Sequence, residues 1–252
     1  MKINIITPTR DRLEFLKENI ESVRHSRTYP LDLQISHIIH DCGSQDGTGT
    51  WLDAEKDHLS LDVTHSPGKV FPGLARNQAL ARSDGDFIIP LDDDDIILQR
   101  SIYHFVHGLI SETSGAAWAV SDFIKIDRDG KYLRGEDYSG WVFGSEKDML
   151  QAIFSGSHYI QGNVCFTRSL FQKVGGYSSE LETAEDLELY VRFILEAGLP
   201  LYIPTVSHLH RVHDHNISKD VDKNRYNADL EAIYRLYEAS LKKRGIEFVP
   251  IP

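Results

Sequence analysis

The sequence predicts an α/β fold: one domain on a mainly parallel, mixed sheet with helices on both faces. Three observations carry that expectation. Strand-length apolar runs alternate with helically spaced apolar residues through the first 95 residues, in the order β-α-β-α-β-α-β. The last of these runs, Phe87 to Leu91, drives directly into Asp92-Asp93-Asp94-Asp95, which places carboxylates where open α/β sheets bind ligands. The chain has 252 residues and neither an internal repeat nor a low-complexity linker, so one large domain accommodates it.

Lys2 to Thr7, rich in isoleucine, reads as a buried strand that Pro8-Thr9-Arg10-Asp11-Arg12 stops. Leu13, Leu16, Ile20 and Val23 recur at helical spacing and predict a helix to about Ser26. Leu33 to His40 is the second strand, ending in the polar turn Asp41-Cys42-Gly43-Ser44-Gln45-Asp46-Gly47-Thr48, and a helix begins near Thr48 to Trp51. Leu61 to His65 is a short strand, Gly73 to Arg82 a helix, and Gly85 to Leu91 the strand before the acidic run. Parallel strands joined in this way require right-handed crossovers.

Beyond Asp95 the spacing predicts a helix over Ser101 to Ile110, then a strand from Ala116 to Ile126. Asp127-Arg128-Asp129-Gly130 turns that strand into Lys131 to Leu133. Arg134 to Ser145 is irregular, and Tyr138, Trp141 and Phe143 make it either a substrate loop or a packed lid. Lys147 to Phe154 is helical, Ile160 to Thr167 strand-like, and Ser169 to Val174 a short helix closed by Gly175-Gly176. Glu182 to Ala197 reads as a longer helix, Leu201 to Leu209 as the last strand, and Asn224 to Arg244 as an amphipathic helix stopped by Gly245. The apolar side of that final helix docks on its own domain or on a twin, which leaves a homodimer open.

An apolar fraction of 41% and a charged fraction of 26% suit a globular protein, and a net charge of -11 argues against a nucleic-acid partner. Cys42 and Cys165 form no framework and no CxxC spacing, which points to a reducing, cytoplasmic compartment. Met1 to Thr7 lacks the basic region and cleavage site of a signal peptide, and no apolar run nears the ~20 residues of a membrane span. Contact with a membrane, if the acceptor is anchored there, is then peripheral and from the inner face.

Four adjacent carboxylates repel one another, and a fold tolerates them when something cancels the charge. A divalent cation does so, and hard oxygen ligands suit Mn²⁺ or Mg²⁺. The alternative is a solvated acidic turn, the ordinary fate of a charge run. The apolar strand before it and Ile96-Ile97 directly after it speak for the metal.

Four stretches in this order resemble the inverting nucleotide-sugar glycosyltransferases of family 2, which have the GT-A (Rossmann-like) fold. They are Ile5 to Arg12; Asp41 to Thr48; Gly73-Leu74-Ala75-Arg76-Asn77 with Gly85 to Asp95; and Val174-Gly175-Gly176-Tyr177 with Glu185 to Arg192. The resemblance runs to about Ser218. It implies a nucleotide-sugar-binding half over residues 1–98, an acceptor-binding half over 99–220, and a terminal helix and tail over 221–252.

The resemblance also implies roles. Asp92 and Asp94 match the metal-binding Asp-x-Asp motif, with Asp93 facing the ribose. Asp186 matches the general base that takes the proton of the acceptor hydroxyl; on the residues alone it is equally a helix-start carboxylate favoured by the macrodipole. Thr7, Pro8, Thr9, Arg10 and Asp41 match positions around the nucleoside. Arg76 contacts the diphosphate or holds Asp41. Arg211-Val212-His213 matches an Arg-x-His in which the histidine completes the metal shell and the arginine faces phosphate. Four histidines in nine positions, His208, His210, His213 and His215, also raise a zinc site, but with no cysteine near, His208 and His210 read as packing or surface residues. On the residues alone Asp95 is as suited to cap the following helix as to join the site. Gly162-Asn163 and Trp141 lie where the acceptor half faces the sugar.

Two departures bear on the donor. Cys42 stands where many relatives have a second aspartate able to read uracil, and Arg10-Asp11 replaces the usual Tyr-Asn. A UDP-sugar remains the favoured donor, with guanosine or deoxythymidine as alternatives, and the acceptor is a glycan or a lipid-linked hydroxyl. The Gln-x-x-Arg-Trp signature of processive synthases is absent, so single addition is expected. A sugar nucleotidyltransferase would carry a glycine-rich basic loop after the first strand, which Pro8 to Arg12 does not supply. A catalytically inactive binding module would not need Asp92, Asp94 and Asp186.

Overall fold

The computed structural model describes residues 1–135, 143–158, 160, 162–214, 216 and 223–251. The first half alternates as expected: β1 (Lys2–Thr9), α1 (Leu13–Arg24), β2 (Gln34–Asp41), α2 (Thr48–Leu59), β3 (Leu61–His65), α3 (Pro72–Leu80) and β4 (Phe87–Pro90). Then come β5 (Ile96–Ile97), α4 (Ser101–Ser111), β6 (Trp118–Ile126), α5 (Glu146–Phe154), β7 (Val164–Thr167) and α6 (Arg168–Val174). The described elements end with α7 (Glu185–Ala197), β8 (Leu201–Arg211), α8 (Lys223–Leu236) and α9 (Glu238–Lys243).

The strands form one eight-stranded sheet in the order β3-β2-β1-β4-β7-β6-β8-β5. β3, β2, β1 and β4 run parallel, as do β6 and β8, while β7 and β5 oppose their neighbours. Alternate side chains serve opposite faces. Ile3, Ile5, Phe87 and Ile89 pack with Ile102 and Phe105 of α4. Ile6 and Ile88 join Trp118, Phe166, Tyr190 and Phe193 on the other face. Both faces being covered, β4 reads as an unbroken apolar run and β1 buries isoleucines on both sides, Ile3 and Ile5 on one and Ile6 on the other.

The register brings the carboxyl ends level. Thr9 lies opposite Asp41, Asp41 opposite His65, and Ile6 opposite Pro90. The register between β6 and β8 shifts twice, around Asp122 and close to Pro204. β5 pairs with β8 only at His208 and Leu209, so Pro204 removes no bond on that side. Bulges of this kind re-aim the side chains that follow, here His208, His210 and Arg211.

The second half departs from expectation in three places. α7 begins at Glu185 rather than Glu182, because Ala184 is left-handed (φ 56) and Thr183 is held by Asp229. The carboxy-terminal helix breaks at Tyr237, whose hydroxyl reaches Glu188 of α7 while Leu241 and Ile246 enter the core. β7 starts at Val164, not Ile160. The turn after β6 is as expected: the Asp127 carboxylate accepts from Asp129 and Lys131, and Gly130 is left-handed. Among the described residues no helix is long and apolar enough to cross a membrane.

α3 lies tightly against the turn that precedes α7. A methyl group at Gly73 would stand 1.9 Å from the Ser178 carbonyl oxygen. Gly73→Ala is therefore expected to cost about 2 kcal/mol, as overpacking against a backbone atom does, and urea unfolding would register it.

Candidate active site

Two loops frame the carboxyl ends of β1 and β2 by locking onto each other. Asp11, left-handed at φ 53, donates its amide to Ser44 Oγ (2.9 Å) and accepts the Gln45 amide (2.6 Å). Asp41 accepts from the Ser44 amide and hydroxyl at 3.1 and 2.6 Å, and His65 Nδ1 lies 3.2 Å from its other oxygen. Gly43 packs so closely on Gly68 that a Cβ would meet its Cα at 2.7 Å. Cys42 is buried beside them. Burial, with Asp41 and Asp93 nearby, pushes its thiol up to about 12, so it offers no carboxylate-like charge.

The acidic turn fans its four carboxylates toward different partners. Asn19, buried in α1, donates to the carbonyls of Asp92 and Asp95 and fixes the turn at both ends. Asp92, its side chain 43% exposed, pairs with Arg76 at 2.7 Å. Asp93 accepts from Thr9 Oγ1 (2.7 Å) and Arg12 (3.0 Å); burial and neighbouring Asp94 push its carboxyl up to about 7. Asp94 meets Arg12 at 2.7 Å, His213 Nε2 at 3.0 Å and Asn216 at 3.3 Å. Asp95 accepts the Arg211 amide at 2.8 Å, with His210 Nδ1 3.3 Å and His208 Nε2 3.6 Å away. Arginine and histidine side chains thus surround the carboxylates that suggested a cation.

Several expected roles change with this geometry. Asp95 caps no helix, because α4 begins after Arg100 and Asp95 faces β8. His208 packs as expected, buried and stacked on Phe123, and His210 is half-buried; both also close on Asp95, and the three groups offer ligand atoms within 4.8 Å of one another. Arg211 does not face open space for a phosphate. It is buried, and its guanidinium is bound to the Asp94 and Arg128 carbonyls (2.8 Å each) and to Glu18 (2.6 Å). Arg76 does not hold Asp41; it joins Asp92 to Glu185. Burial alone would lower Arg76, and Asp92 and Glu185 more than reverse it. Thr7 turns its hydroxyl to buried His37, 2.9 Å away. Pro8 sits half-buried at the strand end and Arg10 is exposed at the rim, beside Asp11.

A cleft opens beside the turn, lined by Asp92, Arg76, His210, Gly162, Tyr177 and Asp186. Asp186 stands in the first turn of α7, where its carboxylate accepts the Leu187 amide at 2.7 Å. Burial raises it above the ordinary carboxylate range, with Arg76 opposing. Asn163 is buried and bonds the Ser121 carbonyl rather than facing the cleft. Tyr138, Trp141 and His215 lie outside the described residues.

Asp94 and His213 meet as expected, and Asp92 shares the cleft with Asp186. Arg12 and Asn19 had no expected role. Asn19 was findable, as a polar residue on the apolar stripe of Leu16, Ile20 and Val23, where burial requires partners. Arg12 gave no such signal, since nothing local separates it from Arg10.

The glycosyl transferase family 2 model matches residues 4–175. The pre-mycofactocin glycosyltransferase of Mycobacterium tuberculosis is 24% identical over 216 residues, 83% of this chain and 43% of that one. The GalNAc(5)-diNAcBac-PP-undecaprenol beta-1,3-glucosyltransferase of Campylobacter jejuni is 25% identical over 166 residues, 63% of this chain and 50% of that one. The chain thus spans half or less of these curated relatives. Among solved structures, Staphylococcus aureus TarS 1-349 in complex with UDP-GlcNAc has a TM-score of 0.71 at 17% identity, covering 94% of this chain and 65% of that one. The mannosyltransferase PcManGT from Pyrobaculum calidifontis, in complex with GDP-Man and Mn²⁺, has a TM-score of 0.67 at 17% identity, covering 94% and 64%. These likenesses show the shared GT-A fold, and the match over residues 4–175 establishes that the chain belongs to glycosyl transferase family 2.

Proposed function

We propose that the chain is a metal-dependent, inverting glycosyltransferase that moves one sugar from a nucleotide diphosphate sugar to a hydroxyl of a glycan or lipid-linked acceptor. The observation that carries this reading is the cleft itself, in which Asp92 of the acidic turn and Asp186 of α7 share one opening. Donor chemistry and acceptor chemistry need carboxylates in different states. Asp186, with its raised pKa, is suited to take a proton from an attacking hydroxyl. Thr9 and Arg12 fix Asp93 at the end of β1, beside the nucleoside position assigned to Asp41.

The residues fit a divalent cation. Asp94 gathers the Arg12 guanidinium (2.7 Å), His213 Nε2 (3.0 Å) and Asn216 (3.3 Å) on one oxygen, Oδ2, which leaves its second carboxylate oxygen for a cation and brings an imidazole nitrogen beside it. Asp94, Asp92 and His213 would hold Mn²⁺ or Mg²⁺; bound there, the ion would supply neutralisation of the diphosphate's charge. The Asp95-His208-His210 group offers a second set of ligand atoms, but the Arg211 amide occupies one Asp95 oxygen. A carboxylate-rich set suits the hard ions better than a histidine-rich one. UDP-GlcNAc and GDP-Man in complexes of the same fold support a nucleotide-sugar donor, with UDP favoured.

Calorimetric titration with UDP, GDP and dTDP, each with and without Mn²⁺, tests the reading. One nucleotide is expected to bind at least tenfold tighter with the metal, and Asp94→Ala is expected to abolish that difference. Binding that ignores both the metal and Asp94 would remove the acidic turn from the donor site.

A further inference from the structure

Tyr177 presents a buried polar atom that the fold does not use. Its residue is 4% exposed, and its hydroxyl finds no hydrogen-bond partner among the described residues. Two other buried polar atoms share that condition, Asn19 Oδ1 and His37 Nδ1, and neither residue lines the cleft. Tyr177 does, together with Asp92, Arg76 and Asp186. A phenylalanine would fill the same space without leaving a hydroxyl unpaired, which costs stability.

The residue is also held still. Gly175 and Gly176 are both left-handed, at φ 92 and φ 85, and reverse the chain after α6. Asn77 of α3 then clamps Tyr177 from both sides: it accepts the Tyr177 amide at 3.0 Å and donates to the Tyr177 carbonyl at 2.8 Å. The ring lies against Phe171, centroid to centroid 5.7 Å, with the Arg76 guanidinium 5.6 Å from its own centroid. Arg76 is itself tied to Asp92 and Glu185. Support of this kind around a polar atom is what a preorganised binding group requires.

The neighbours select the ligand. Asp92 and Asp186 accept hydrogen bonds, and the Arg76 charge is already engaged by two carboxylates. A neutral polyol satisfies such a wall, giving hydroxyl protons to the carboxylates and taking one from the phenol. Burial raises the Tyr177 pKa far above neutrality, so the phenol keeps its proton.

We propose that the Tyr177 hydroxyl is a sugar-binding group, donating a hydrogen bond to a hydroxyl oxygen of the sugar seated in this cleft. The proposal rests on the glycosyl-transfer reading and adds to it a residue that selects for that oxygen. The sugar is either the transferred one or the acceptor.

Tyr177→Phe keeps the ring and tests the hydroxyl alone. Affinity for UDP or GDP is expected to stay within twofold of wild type, and the melting temperature to hold or rise. If the hydroxyl reads the transferred sugar, affinity for UDP-glucose, UDP-GlcNAc or GDP-mannose, whichever the wild type binds, falls about tenfold, and donor hydrolysis falls with it. If it reads the acceptor, both are kept, and kcat/KM for transfer to p-nitrophenyl pyranosides falls about tenfold. A variant matching wild type in all these measurements, or losing nucleotide and nucleotide-sugar affinity alike, overturns the proposal. A wild-type chain that binds no nucleotide sugar overturns the glycosyl-transfer reading instead, and the proposal with it.

Discussion

Asp186→Asn is expected to lower sugar transfer by about 10²–10⁴-fold, the range typical of a lost general base, while nucleoside diphosphate affinity stays within twofold. The substitution keeps the size of the side chain and an oxygen for the Leu187 amide, so α7 retains its first turn. What it removes is the ability to take a proton. The pH profile gives an independent reading. Burial raises the Asp186 pKa, and a base acts only when deprotonated, so the wild-type rate climbs with pH through a value above the ordinary carboxylate range. Asp186→Asn is expected to flatten that acid limb in whatever activity remains. An unchanged limb in the variant would assign the titration to another group and the proton transfer with it.

Much of the fold was legible because its central strands are buried on both faces. β4 is a pure apolar run and β1 carries Ile3, Ile5 and Ile6 within strand length, and each is followed by a chain-stopping polar segment. β5 was not legible: two residues carry no periodicity, and its existence depends on β8 passing beside it. The start of α7 was misjudged because the apolar spacing continues upstream of Ala184, whose left-handed backbone breaks the helix without any glycine or proline to announce it. The break at Tyr237 has the same character, being set by a hydroxyl reaching a carboxylate on another helix.

The site divides along a similar line. The carboxylates stood out because four in a row after an apolar strand is a local anomaly. His213 and Arg76 stood out with them, but Arg12 did not, and neither did the pairing of Arg76 with Asp92, because both reach the turn through the tertiary fold, from the loop before α1 and from α3. Arg211 illustrates the limit. Its place beside His213 marked it as part of the site, yet only the packing against Phe15, Glu18 and the Asp94 carbonyl shows that it braces the turn from behind.

Arg76→Met is expected to be the most destabilising single change at this site, by about 3–5 kcal/mol, as when one partner of a buried pair is removed. The magnitude comes from Glu185 rather than Asp92. Glu185 is 6% exposed and would be left without its counter-charge, whereas Asp92 opens to the cleft and can rehydrate. Chemical denaturation measures the loss directly. Two further variants separate charge from shape. Arg76→Lys keeps one charge but cannot bridge two carboxylates in the planar fork that arginine provides, so an intermediate loss is expected. Adding Glu185→Gln to Arg76→Met removes the stranded charge, and at least half of the lost stability is expected to return. If the double variant is no more stable than Arg76→Met, the arginine acts through packing on Tyr177, and the charge link from the acidic turn to α7 contributes little to holding the two sides of the cleft together.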